Sequence, residues 1–293
     1  MGDVLGVIVQ VAALVFVVSS MLAMGLSLTV TQILAPLKKL RLVVLALVVN
    51  FVVAPLLVWA IQALMDLDQD IYTGLLLMAT ASGAPFLPKL AQAAKGNAAL
   101  SVGLMVLLMV VTVGYMPLVL PLLLSGVDID AWAIARSLIF MMLLPLGVGL
   151  LVRARWSHLA GGLQPLMSHA SSLAIVLMLV GAIVLQWESI VSLIGTGGLI
   201  AIIVFLLVLL LVGYLVGGSD PGVRSVMGLG TAQRNVSAAL VVGAQNFSDK
   251  PNVLITVIVA ALIGLVLLLP IAGEFGKRAK SGGTADQPAS PAA

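Results

Sequence analysis

Apolar blocks of 17 or more residues follow one another along this chain, separated only by short polar joints. A helix of that length crosses the hydrocarbon core of a bilayer while satisfying its own backbone hydrogen bonds, and few other folds can use such a sequence. Read between the charged joints, nine blocks result: residues 4–26, 41–65, 71–94, 98–124, 132–152, 170–187, 193–216, 223–247 and 253–273. The expected fold class is an all-α polytopic membrane protein with nine transmembrane helices. A soluble enzyme is excluded, because only 9% of the residues are charged where a soluble domain carries about a quarter. With no cysteine there is no thiol nucleophile, disulfide or thiolate metal site. His158 and His169 share one connection and cannot build an imidazole cage, so no metal site and no cofactor are expected.

The joints alternate in charge. Lys38, Lys39 and Arg41 follow the first block, and Asp66, Asp68 and Asp70 follow the second. On the side of Lys38 lie Lys95, Arg153, Arg155, Arg224, Lys277, Arg278 and Lys280, whereas Asp128, Asp130, Arg136, Glu188, Asp249 and Lys250 lie on the other. The positive-inside rule places the amino terminus outside and the carboxyl end in the cytoplasm. The net charge of +3 is thus a topology signal, the lipid bilayer is the expected partner, and nucleic acid is not. The start has no basic region and no Ala-x-Ala site, so the first block is expected to remain in the membrane. Residues 1–280 form the expected transmembrane domain, and 281–293 (SGGTADQPASPAA) read as a disordered cytoplasmic tail. Trp59, Trp132, Trp156 and Trp187 sit near block ends as interface anchors.

Two blocks are wrong for simple lipid-facing helices. The third contains Ser82, Gly83, Ala84, Pro85, Phe86, Leu87, Pro88 and Lys89, and its prolines are expected to break it. The eighth contains Gly228, Gly230, Thr231, Gln233, Arg234 and Asn235, and the two glycines are expected to break it among polar side chains that are costly at depth. The third block runs inward and the eighth outward. Blocks one to four then pair with six to nine as an inverted repeat whose first copy lacks its first helix. Broken helices at equivalent positions of inverted halves point to the midplane binding site of a transporter.

Four stretches carry a family resemblance. Residues 21–29 (MLAMGLSLT) resemble a signature ending in Met-Gly-Leu-Thr-Leu, and 50–55 (NFVVAP) a Gln-Phe-(x)3-Pro segment. Residues 94–102 (AKGNAALSV) are close to Ala-Lys-Gly-Asn-Val-Ala-Leu-Ser-Val, and 230–240 (GTAQRNVSAAL) sit where Glu-Val-Gly-Met-Gln-Asn-Ser-Gly-Leu-Ala would stand. Over residues 15–275 the chain resembles the bile acid:sodium symporters, as a bacterial-type homologue in their nine-helix form, which implies a bacterial inner membrane as its location. The resemblance implies a core of blocks two, three, four, seven, eight and nine, a panel of blocks one, five and six, and alternating access between them. It also implies two sodium ions near the crossing of the broken helices.

The sodium ligands do not carry over. Leu87 and Pro88 stand where the family has a Ser-Asn pair, Leu229 where it has a glutamate, and Asn50 where it has a glutamine; Gln233 is retained. All eleven carboxylates map to joints, termini or block ends, whereas Arg234 and Lys89 fall within blocks. Fixed positive charge at that place disfavours sodium and favours an anion. The expected function is carriage of a small organic anion without the usual sodium ligands. Arg234 would pair with the acidic group, and Gln233, Asn235, Thr231, Ser237, Asn50, Thr112, Ser82 and Lys89 would complete the site. Two uses stay open for Arg234, since its five donors can equally satisfy the free carbonyls of the broken third helix. Lys89 can simply snorkel to the surface. Two other transport readings stand beside the first: a sodium-coupled symporter with other ligands, and a metabolite or oxyanion exporter. A receptor would look alike, whereas an intramembrane enzyme lacks its acid, base or nucleophile. Gly213 and Gly217 form a GxxxG pair, which fits a monomer or a homodimer.

Overall fold

The computed structural model describes residues 2–34, 38–124, 130–185, 187, 191 and 195–284. Asp128, Glu188, the start of the 193–216 block and the tail beyond residue 284 lie outside them. Among the described residues there is no strand. The helices are α1 (Gly2–Ser27), α2 (Val30–Leu34), α3 (Leu40–Met65), α4 (Gln69–Thr80), α5 (Leu87–Ala93) and α6 (Ala98–Leu123). They continue with α7 (Ala131–Arg155), α8 (Ser157–Leu185), α9 (Gly198–Val216), α10 (Pro221–Ala232), α11 (Val236–Asn246) and α12 (Pro251–Thr284). Six of them, α1, α3, α6, α7, α9 and α12, are long and apolar enough to cross a membrane. The last helix continues to Thr284, four residues into the stretch expected to be disordered.

The polar joints act as helix caps. Asp68 accepts from the amide of Asp70 at the start of α4, Asn97 from Leu100 at α6, Asp130 from Trp132 and Ala133 at α7, and Asp220 from Val223 at α10. Each cap satisfies donors that a helix start leaves open. The surface is apolar where a bilayer would lie: Leu64, Leu118, Leu122 and Val266 are all more than 70% exposed, and the four tryptophans are exposed as well.

Small residues set which helices touch. Gly25 on α1 and Gly149 on α7 leave no room for a Cβ between their backbones, and α1 also lies along α8. Elsewhere α9 packs on α10, where Gly228 meets the carbonyl of Leu210 and the side chain of Tyr214, and α12 crosses α4, where Gly74 meets Thr256. Helices α1, α7 and α8 therefore pack mainly on one another, as do α3 to α6 with α9 to α12, and α7 touches both sets through α6 and α11.

Both interruptions exist, but their causes differ from the expected ones. The chain leaves the helix after Thr80, well before either proline, and Pro88 sits in the first turn of α5. A proline there lacks only a donor that a helix start does not use, so Pro88 begins a half-helix instead of ending one. Pro85 lies in the connecting turn. Gly228 and Gly230 are inside α10, which runs on to Ala232, so neither is a break. Their missing side chains admit neighbours instead: the space beside Gly230 is filled by Leu87 and Leu104. The second interruption is the stretch Gln233, Arg234 and Asn235 itself.

Candidate functional site

The two interruptions meet and are sewn together by hydrogen bonds. The backbone amide of Asn235 donates to the Ala81 carbonyl at 3.0 Å, and its Nδ2 donates to the carbonyls of Ser82 (3.3 Å) and Gly83 (3.2 Å). Asn235 Oδ1 meanwhile caps α11 by accepting from the amide of Ala238. One side chain thus starts a half-helix and holds the opposite interruption. Gly83 has φ +80°, and a Cβ there would overlap the backbone of Met105 and Met109, so only glycine fits. Thr112 on α6 closes the same interruption, its Oγ1 accepting from the Ser82 amide at 2.9 Å and donating to the Ser82 carbonyl at 3.0 Å.

Asn50 reaches this place because α3 widens into a π turn over Val49–Val53. Pro55 has no amide proton to give the Phe51 carbonyl, which instead accepts from the hydroxyl of Tyr115 at 2.5 Å. Asn50 Oδ1 accepts from Ser82 Oγ at 2.7 Å, and its Nδ2 donates to the Ala46 carbonyl. Thr231 Oγ1 stands 3.5 Å from that Nδ2 and donates to the carbonyl of Met227.

Arg234 lies at the centre and is 2% exposed. Its Nε donates to the Met78 carbonyl at 2.9 Å, Nη1 to Asn50 Oδ1 at 2.7 Å and to the Thr231 carbonyl at 3.0 Å, and Nη2 to the Ala79 carbonyl at 2.6 Å. Three of these acceptors belong to the last turns of α4 and α10, where carbonyls have no intrahelical partner and the helix dipoles are negative. The guanidinium is held by neutral oxygens, with no carboxylate among these partners.

Beside the crossing is a cavity of about 500 Å³. Its walls come from α1 (Ser20, Met24, Ser27), the first interruption and α5 (Pro85, Phe86, Lys89), α8 (Gln164, Ser168, Ser172), the second interruption and α11 (Gln233, Arg234, Ser237) and α12 (Leu265). Lys89 is exposed and its Nζ lies 5.6 Å from the centre of the Phe86 ring. Gln233 Oε1 and Ser237 Oγ are buried and have no hydrogen-bond partner. Among the described residues the lining includes two cations, Lys89 and Arg234, and no Asp or Glu.

The nine residues singled out from sequence therefore divide. Asn50, Ser82, Thr112, Thr231, Arg234 and Asn235 form the crossing, whereas Gln233, Ser237 and Lys89 join Arg234 on the cavity wall. The polar residues of α8 were missed. Gln164, Ser168, Ser171 and Ser172 recur at helical spacing and all line the cavity, a one-faced pattern that the sequence carried.

A model of the sodium bile acid symporter family matches residues 14–193, a stretch that includes the first interruption and ends before the second. A chloroplastic protein of Arabidopsis thaliana named as the probable sodium/metabolite cotransporter BASS3 is 25% identical over 256 residues, covering 84% of this chain and 59% of that protein. Its counterpart in Oryza sativa subsp. japonica is 24% identical over 257 residues, 84% of this chain and 60% of its own. This chain spans about three-fifths of the length of these relatives. With apolar helices of membrane-crossing length and a family match over more than half its residues, the chain is an integral membrane protein and belongs to the sodium bile acid symporter family, whose members are transporters and not enzymes.

Proposed function

We propose that this protein carries a small organic anion across a membrane by alternating access. The supporting observation is the wall of the cavity, where Lys89 and Arg234 supply positive charge, Gln233 and Ser237 hold unpartnered polar atoms, and no carboxylate among the described residues opposes them. In a low-dielectric setting that combination favours an acidic group over a cation. The apolar remainder of the wall suits an organic body attached to it.

The crossing count is nine in this reading: the six long helices, α8, and the two interrupted pairs α4–α5 and α10–α11. Helices α1, α7 and α8 form the panel, and the rest form the core around an inverted repeat. The cavity lies between the two, lined by the later half of α1 and the middle of α8. The later half of α1 leads to the Lys38 joint, so with the amino terminus outside the cavity faces the cytoplasm. On the opposite side Ser137 of α7 hydrogen-bonds Gln245 of α11, joining panel to core. This is the arrangement of a carrier open inward.

A second reading is a sodium-coupled symporter, favoured by the family description and by the relatives' names. One experiment separates them. The purified protein is melted with a panel of carboxylates and sulfonates, each in sodium and in choline buffer, because a ligand of the folded state raises the melting temperature. Stabilisation by an anion in both buffers, followed by its uptake into proteoliposomes, supports the proposal. Stabilisation that requires sodium supports the second reading, and no stabilisation by any anion sinks the first.

A further inference from the structure

The oxygens around Arg234 have the chemistry of a site for a monovalent cation. Met78 and Ala79 offer carbonyls from the end of α4, Thr231 one from the end of α10, and Asn50 an amide oxygen from α3. Neutral carbonyl and amide oxygens gathered at the ends of interrupted helices are the ligands that replace the hydration shell of an alkali ion inside membrane proteins. Their dipoles all point inward, so the cage repels itself unless a positive charge sits within it. Here the charge arrives on a side chain that is itself 2% exposed and is anchored in the second interruption.

We propose that Arg234 is a tethered cation, occupying the place a free ion would take in this four-oxygen cage. The crossing of the interrupted helices is then held by a charge that cannot dissociate, and no sodium enters this cage in the intact protein. Cutting the side chain back reopens the cage and makes the fold depend on a small dissolved cation. A plain hydrogen-bonded cross-link, by contrast, is not restored by an ion.

The test uses the full chain, purified in detergent, as wild type, Arg234→Ala, Arg234→Lys and Arg234→Met, each melted at equal ionic strength in choline, sodium and millimolar guanidinium. The wild type should melt at one temperature in all three. Arg234→Ala should lose on the order of 10 °C in choline and regain at least half of it, saturably, with sodium or guanidinium. Arg234→Lys should keep more stability than Arg234→Ala in choline, and Arg234→Met, which fills the space without charge, should gain nothing from either cation. The proposal is overturned if Arg234→Ala shows no cation response beyond the wild type's, or cannot be purified in any of the three salts. It is also overturned if Arg234→Met melts with the wild type. The anion reading fails separately, since it is decided by ligands of the intact protein, whose cage these variants do not alter.

Discussion

The crossing of the interrupted helices and the cavity wall beside it are built from the same residue types, yet they treat polarity in opposite ways. At the crossing, Asn50, Ser82, Thr112, Arg234 and Asn235 each engage partners on other helices or in the opposite interruption. A few residues away, Gln233 Oε1 and Ser237 Oγ are buried with none. A satisfied polar network rigidifies a fold, whereas an unsatisfied polar atom costs stability and is retained where a ligand can use it. The comparison teaches that polarity at membrane depth marks two jobs, and that the partners tell them apart.

The largest effect should follow from breaking the crossing. Asn50→Leu leaves an Arg234 donor and the Ser82 hydroxyl without an acceptor at once, and about 3 to 5 kcal/mol of stability should be lost. Thermal melting in a ligand-free buffer reads this, and a loss below about 1 kcal/mol would show that the network is dispensable. Gly83→Ala comes next, at about 2 to 4 kcal/mol, because the alanine would need a left-handed backbone and would press on α6. An unchanged melting curve for that variant would mean the first interruption can move away from Met109.

The cavity wall should respond the other way round. Gln233→Leu should leave the melting temperature within about 2 °C of wild type, since it removes an unsatisfied group, while anion affinity falls about tenfold from the lost hydrogen bond. Titration of the stabilising anion checks both, and a variant that unfolds while still binding would assign Gln233 to the crossing. Lys89→Gln should have the smallest effect. Its exposed charge is screened by salt, so affinity should fall only a few-fold at low ionic strength and hardly at all in high salt.

Much of this was legible beforehand because bilayer physics is strict. Blocks of helix-forming apolar residues, separated by charged joints such as Asp66, Asp68 and Asp70, announce themselves without any knowledge of packing. The existence of two interruptions was legible for the same reason, since Asn235 and Arg234 cannot face lipid. Their causes were not. Pro88 and Gly230 looked like breakers from local propensity, but one begins a helix and the other lets Leu87 approach. Position within a helix decides what a proline does, and a neighbour decides what a glycine does.

The sequence by itself therefore determined the class of molecule, the family and the polar residues of the crossing, because the cost of exposing a polar backbone or a charge to hydrocarbon depends only on which residues are adjacent along the chain. It left two uses open for Arg234. Only the tertiary structure decided which oxygens surround it, because Met78, Asn50 and Thr231 are far apart along the chain and converge on one guanidinium only through a π turn, two helix ends and a glycine with positive φ.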